Sequence, residues 1–163
     1  MLVAIFFSFK CRKNDVLPQL PAETQTGANT FGCKINGEIF TPKASGNCYN
    51  YIVQYYKSDS TLSIGIYNTC AKNFQINIKR VFELRGYLIG NPIINSFRYR
   101  TTQSSCSLYD FSNSTQTGNV AITRFDLTNK IISGRFFGTL KISGCPDINL
   151  TEGRFDFKMD VYN

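Results

Sequence analysis

The sequence predicts an all-β protein, an antiparallel β-sandwich or flattened barrel of about ten short strands with little or no helix. Three observations carry that prediction. The first is the C-terminal third, where residues 131–142 and 151–161 read as the two arms of one long hairpin. Side chains alternate faces along a strand. Phe155, Phe157, Met159 and Val161 therefore share one face, and Arg154, Asp156, Lys158 and Asp160 the other. The second is turn chemistry recurring at intervals of about 8–12 residues. The third is negative: no window keeps helical apolar spacing over the roughly 12 residues a stable helix needs. An apolar sheet face needs a second layer to cover it.

The chain opens on the apolar run MLVAIFFSF at residues 1–9, followed by Lys10 and Cys11. A membrane-spanning helix needs about 20 residues, so this run fits instead the hydrophobic region of an export signal, short of the basic segment that should precede it. An apolar run ending at a cysteine resembles a bacterial lipoprotein signal, with Cys11 as the acylated residue, although Lys10 stands where such signals place a small side chain. Residues 12–30 are polar, carry Pro18 and Pro21, and show no periodicity, which reads as a flexible tether. Residues 31–163 are then the folded domain.

Within it, residues 31–42 form a hairpin around Asn36-Gly37, the strongest local hairpin signal because both residues tolerate positive φ. Pro42 ends the ladder. Residues 49–56 make a tyrosine-rich strand, and Ser58-Asp59-Ser60 a turn. Residues 61–68 put Leu62, Ile64 and Ile66 on one face and Ser63, Gly65 and Tyr67 on the other; in the next strand Phe74, Ile76 and Ile78 oppose Gln75, Asn77 and Lys79. Residues 86–89, 97–101, 105–111 and 118–126 are further strands, and 127–130 turns into the final hairpin. The triplet Arg-Phe-Asp occurs at 124–126 and again at 154–156, read as two strands meeting the same requirement.

The chain has 163 residues, enough for one domain with a real core. It contains no histidine, which removes Ser-His and Cys-His nucleophile pairs, HExxH zinc sites and imidazole acid–base chemistry. The absence of tryptophan weakens the commonest sugar-stacking platform. The formal net charge is +7, but the basic residues are scattered at alternate strand positions. That pattern reads as a solvated sheet face and speaks against a nucleic-acid partner.

Six cysteines fit an oxidising compartment. With Cys11 acylated, five remain. Cys106 with Cys145, and Cys48 with Cys70, could pair and leave Cys33; buried unpaired cysteines are the other reading. No two share the spacing of a zinc knuckle, so neither a metal nor a cofactor is expected. Carboxylates for a hydrolase could be drawn from Asp110, Asp126, Asp147, Glu152 and Asp156, but any β domain offers as many. Tyr51, Tyr55 and Tyr67 are candidates for a ligand face, since aromatic rings supply rigid amphipathic contact area; tyrosine also simply favours half-buried strands. Asp59-Ser60-Thr61 looks like a short acidic-Ser/Thr signal for O-glycosylation.

Residues 26–37 (TGANTFGCKING), the 61–66 strand, Gly86-Tyr87-Leu88, residues 118–125 leading into 129–136 (NKIISGRF), and 151–156 (TEGRFD) follow one another in a fixed order. Together these segments resemble a family of uncharacterised lipoproteins from Bacteroidetes. The resemblance implies an exported β domain held by lipid at the outer membrane, on its periplasmic or its outer side, and brings no catalytic residues. The expectation is a non-catalytic envelope module with a binding or a structural role, whose ligand the sequence does not name and whose partner could be a glycan or another envelope component. The alternative is a barrel carrying a small lipid-like ligand, and behind it a carboxylate-based glycan hydrolase.

Overall fold

Asn36 and Gly37 both take positive φ, 50° and 85°, and fold β1 (Thr30–Ile35) back on β2 (Glu38–Phe40), as the Asn-Gly pair requires. The computed structural model of the chain describes residues 19–42, 49–68, 72–90, 95–102 and 106–163; Cys11, the first residues of the expected tether, Cys48 and Cys70 lie outside the described residues. The strands that follow are β3 (Tyr49–Tyr56), β4 (Thr61–Asn68), β5 (Asn73–Ile78), β6 (Gly86–Ile89), β7 (Ser96–Arg100), β8 (Leu108–Tyr109), β9 (Thr115–Asp126), β10 (Ile131–Lys141), β11 (Ile148–Lys158) and β12 (Asp160–Tyr162).

They form two six-stranded sheets, which we call A, in the order β2-β1-β11-β10-β9-β6, and B, in the order β12-β3-β4-β5-β7-β8. The protein is an all-β sandwich. Its pairings are antiparallel except β12 with β3, which is parallel.

The core is aromatic at its centre. Phe31 and Phe136 of sheet A stack at 5.4 Å between centroids, and both reach across to Phe74 of sheet B at 5.5 Å. Phe97 completes the cluster, 5.8 Å from Phe74 and 5.9 Å from Phe136. Leu62, Ile64 and Ile66 on β4, with Ile76 and Ile78 on β5, are wholly buried around it. Burying each such side chain contributes roughly 1.5–3 kcal/mol.

Three expectations need correction. The final hairpin is formed by β10 and β11 alone. The alternation continues past Lys158, but the chain leaves sheet A there: the Met159 amide bonds to the Lys130 carbonyl at 2.9 Å, and β12 joins the edge of sheet B beside β3. Of the expected strand over 105–111, the described residues 106–111 keep only β8, and Asp110 turns the chain after it by accepting hydrogen bonds from the backbone N–H and hydroxyl of Ser112 at 2.9 and 2.6 Å. Residues 19–29, assigned to the tether, belong to the folded domain. They form a strap across the outer face of sheet A, where Pro21 and Leu20 cover Gly32 and the Arg124 guanidinium donates to the Gln25 carbonyl.

Candidate functional site

The strap is held by Asp156, which strand alternation placed among the exposed charges and which is 1% exposed. One carboxylate oxygen accepts from the Thr24 hydroxyl at 2.6 Å, the Thr26 N–H at 2.9 Å and the Ala28 N–H at 3.1 Å. The other accepts from the Gly27 N–H and the Ser133 hydroxyl, both at 2.8 Å. Burial works to raise the pKa of this group. The hydrogen bonds from Thr24, Ala28, Ser133 and Thr26 outweigh it and lower the pKa to about 2.

The other candidate carboxylates are engaged as well. Hydrogen bonds from Ser112 hold Asp110 below the usual carboxylate range, with Arg98 adding to the effect. Asp126 is held far below it by Arg124 and then Asn129 in the β9–β10 turn. The two Arg-Phe-Asp triplets thus do different jobs. Asp147 pairs with Lys141 at 2.9 Å and Glu152 with Lys34 at 2.5 Å.

Cys106 and Cys145 form a disulfide. Cys33 is free and fully buried, and burial pushes its thiol up to about 12, which withdraws it from nucleophilic chemistry. Ser60 of the Asp59-Ser60-Thr61 signal is 8% exposed, and Asp59 is spent on the Thr61 N–H and hydroxyl, so the serine is not presented to a modifying enzyme. Among the described residues no cluster of three Cys, Asp or Glu side chains could hold a metal ion.

The three candidate tyrosines do not share a surface. Tyr55 points into the core; it is 4% exposed, its ring lies 5.0 Å from Phe125, and its hydroxyl donates to the Val81 carbonyl at 2.9 Å. Tyr51 has the same parity but lies against Phe157 at the margin of the sandwich, 43% exposed. Tyr67 is on the opposite, outward face of sheet B. Its ring lies over Gly65, where a Cβ would come within 2.8 Å of two ring carbons and the hydroxyl oxygen, and its hydroxyl accepts from Gln75 Nε2 at 2.6 Å.

That outward face is the candidate site. Its rows follow from the register. Gln54, Ser63 and Asn77 face one another across β3, β4 and β5, and Gly65 lies opposite Gln75, which lies opposite Arg98. Ser63 donates to Asn77 Oδ1 at 3.0 Å, and Tyr56 donates to Gln54 Oε1 at 3.1 Å. At the β12 edge the Tyr56 and Tyr162 rings stack at 5.2 Å, with Tyr162 42% exposed.

Tyr56 pairs with Thr61 at one end of the β3–β4 ladder, and Tyr67 pairs with Asn50 near the other. The two backbone positions are thus separated along the strands by about 20 Å at 3.4 Å per residue; the Tyr67 ring, leaning over Gly65, shortens the span between the rings to roughly 14 Å, with amides and a hydroxyl between them. Sequence reasoning missed Tyr162 because its partner strand is a parallel edge. Of its three candidate tyrosines only Tyr67 is on this face, and alternation in β4 already set that residue opposite Leu62, Ile64 and Ile66.

No family model, no curated protein and no solved structure matches this chain.

Proposed function

We propose that the protein is a non-catalytic envelope module, exported and held by lipid at Cys11, that uses the outward face of sheet B to bind an extended, largely neutral glycan. One observation carries the reading: aromatic rings at both ends of an open sheet face, with Gln54, Ser63, Gln75 and Asn77 between them. Rings offer apolar faces to the C–H side of sugars, and amides match hydroxyl groups as both donors and acceptors. The resemblance to Bacteroidetes lipoproteins supports an outer-membrane location. The engagement of Asp110, Asp126, Asp147, Glu152 and Asp156 in hydrogen bonds and ion pairs argues against a carboxylate hydrolase, and the ring-filled interior argues against an apolar-ligand carrier.

The test is a glycan array on the purified domain, followed by calorimetry on the best binder. Replacing Tyr67 and Tyr162 together by Ala should weaken binding by about fivefold or more, at roughly 0.5–1.5 kcal/mol per ring contact, without unfolding the domain. Unchanged affinity in that variant removes the glycan reading. The anchor is tested separately: accumulation of unprocessed precursor in globomycin-treated cells supports acylation at Cys11, and normal processing counts against it.

A further inference from the structure

On the outer face of sheet A, Arg135 of β10 is the register partner of Arg154 of β11. Like charges directly opposite one another on a sheet repel, yet here both guanidinium groups reach the carboxylate of Glu23 in the strap, Arg154 standing also 3.9 Å from Glu152 Oε2. Arg135 Nη2 bonds to Glu23 Oε2, and Arg154 Nη1 stands 4.0 Å from Glu23 Oε1. Arg154 is oriented from behind, through Nε to the Glu152 carbonyl at 3.3 Å and Nη1 to the Pro21 carbonyl at 3.4 Å. Beside the pair is a pocket of about 240 Å³ lined by Thr24, Gln25, Thr123, Arg135, Arg154 and Phe155, among others.

Glu23 is not the strap's fastening. Asp156 holds Thr24, Thr26, Gly27 and Ala28 directly, and Leu20 and Pro21 pack over Gly32. Withdrawing the Glu23 side chain would leave the strap in place, Arg135 without its anion and Arg154 with only the half-exposed Glu152 carboxylate at 3.9 Å, next to a pocket lined with hydroxyls and an amide.

We propose that Arg135 and Arg154 form a binding site for a small carboxylate of the sugar-acid type, occupied in cis by Glu23 until an external carboxylate displaces it. Guanidinium groups match carboxylates through directional, charge-assisted hydrogen bonds. Thr24, Thr123 and Gln25 supply partners for the ligand's hydroxyls. The pocket holds far more than a lone anion, since water in the liquid occupies about 30 Å³ per molecule. The site is on the opposite face of the sandwich from Tyr67 and Tyr162 and stands independently of the glycan reading.

The experiment uses Glu23→Gln, with glucuronate as probe and glucose as the uncharged control, read by calorimetry and by amide chemical shifts. Because glucuronate must displace an intramolecular carboxylate from the wild type, it should bind Glu23→Gln about tenfold or more tighter than it binds the wild type, and glucose should not bind there. Adding Arg135→Gln or Arg154→Gln to Glu23→Gln should abolish the gain, while the Tyr67/Tyr162 double variant should bind glucuronate as the wild type does. The Gly27 amide should stay protected from exchange in Glu23→Gln. No gain, or a gain that survives loss of either arginine, overturns the proposal. Loss of strap protection in Glu23→Gln overturns it too, because Glu23 would then be a structural fastener.

Discussion

Replacing Asp156 by Asn tests whether one buried carboxylate welds the strap to sheet A. The side chain keeps its shape but exchanges one acceptor oxygen for an NH2 group. The best placement puts the remaining oxygen where it still accepts from Thr24, Thr26 and Ala28, and turns the new amide toward the Gly27 N–H and the Ser133 hydroxyl. Ser133 can rotate to accept, but the buried Gly27 N–H has lost its partner, at a cost of about 1–3 kcal/mol. The surviving bonds lose their charge assistance, worth about another 1 kcal/mol in total.

The expected loss is therefore about 2–4 kcal/mol at neutral pH, measured as a lower urea midpoint with unchanged slope. Exchange at the Thr26, Gly27 and Ala28 amides should quicken by more than exchange in β10. The sign of the pH dependence follows from a lowered pKa. The carboxylate's stabilisation is complete above the unfolded value of 3.8 and is lost as pH falls toward about 2. The gap between wild type and Asp156→Asn should accordingly be widest above pH 4 and close between about pH 4 and 2. A gap below about 0.5 kcal/mol at pH 7, or one that stays constant down to pH 2, would refute the latch.

Two further perturbations address the core and the cross-link. Phe136→Ala removes the ring that meets Phe31, Phe74, Phe97 and Phe155; the cavity should cost about 3–5 kcal/mol in urea unfolding, and a loss under 1 kcal/mol would show that the cluster does not bear on stability. The Cys106–Cys145 disulfide spans a sequence separation of 39, so replacing both cysteines by Ser should cost up to about 4 kcal/mol by the chain-entropy estimate. The loss should be accompanied by faster exchange around β8, and a double variant as stable as the wild type would refute that account.

Much of the fold was legible because the information was local. Asn36-Gly37 names its own turn, and Leu62, Ile64 and Ile66 alternate against Ser63, Gly65 and Tyr67, which locates β4 and its inner face without any partner in view. What could not be read depends on distant chain. Asp156 has the pattern of an exposed strand residue, and only a strap more than a hundred residues earlier in the sequence buries it. Met159 and Val161 keep the parity of Phe155, so nothing local marks the point where β11 ends and β12 crosses to the other sheet. Tyr51 and Tyr55 lie on a strand with apolar or aromatic residues at both parities, Ile52 and Tyr56 among them, so its inner face is set by Phe125, Phe157 and Val81 and not by its own pattern.

The strap also changes how the proposed anchor would present the domain. Read from sequence alone, a tether ending at residue 30 lets the domain range widely. With residues 19–29 fixed along sheet A, the chain between Cys11 and Gln19 advances only eight residues, at most about 28 Å when fully extended. The entry point is beside Thr41 and Pro42, where Gln19 lines a depression with Leu20, Pro21 and Phe31. Under lipidation at Cys11, sheet A carries the path to the bilayer and the tyrosine-bearing face of sheet B lies on the other side of the sandwich. A glycan could then approach sheet B without displacing the strap, which is why the two proposed sites can be occupied, and tested, separately.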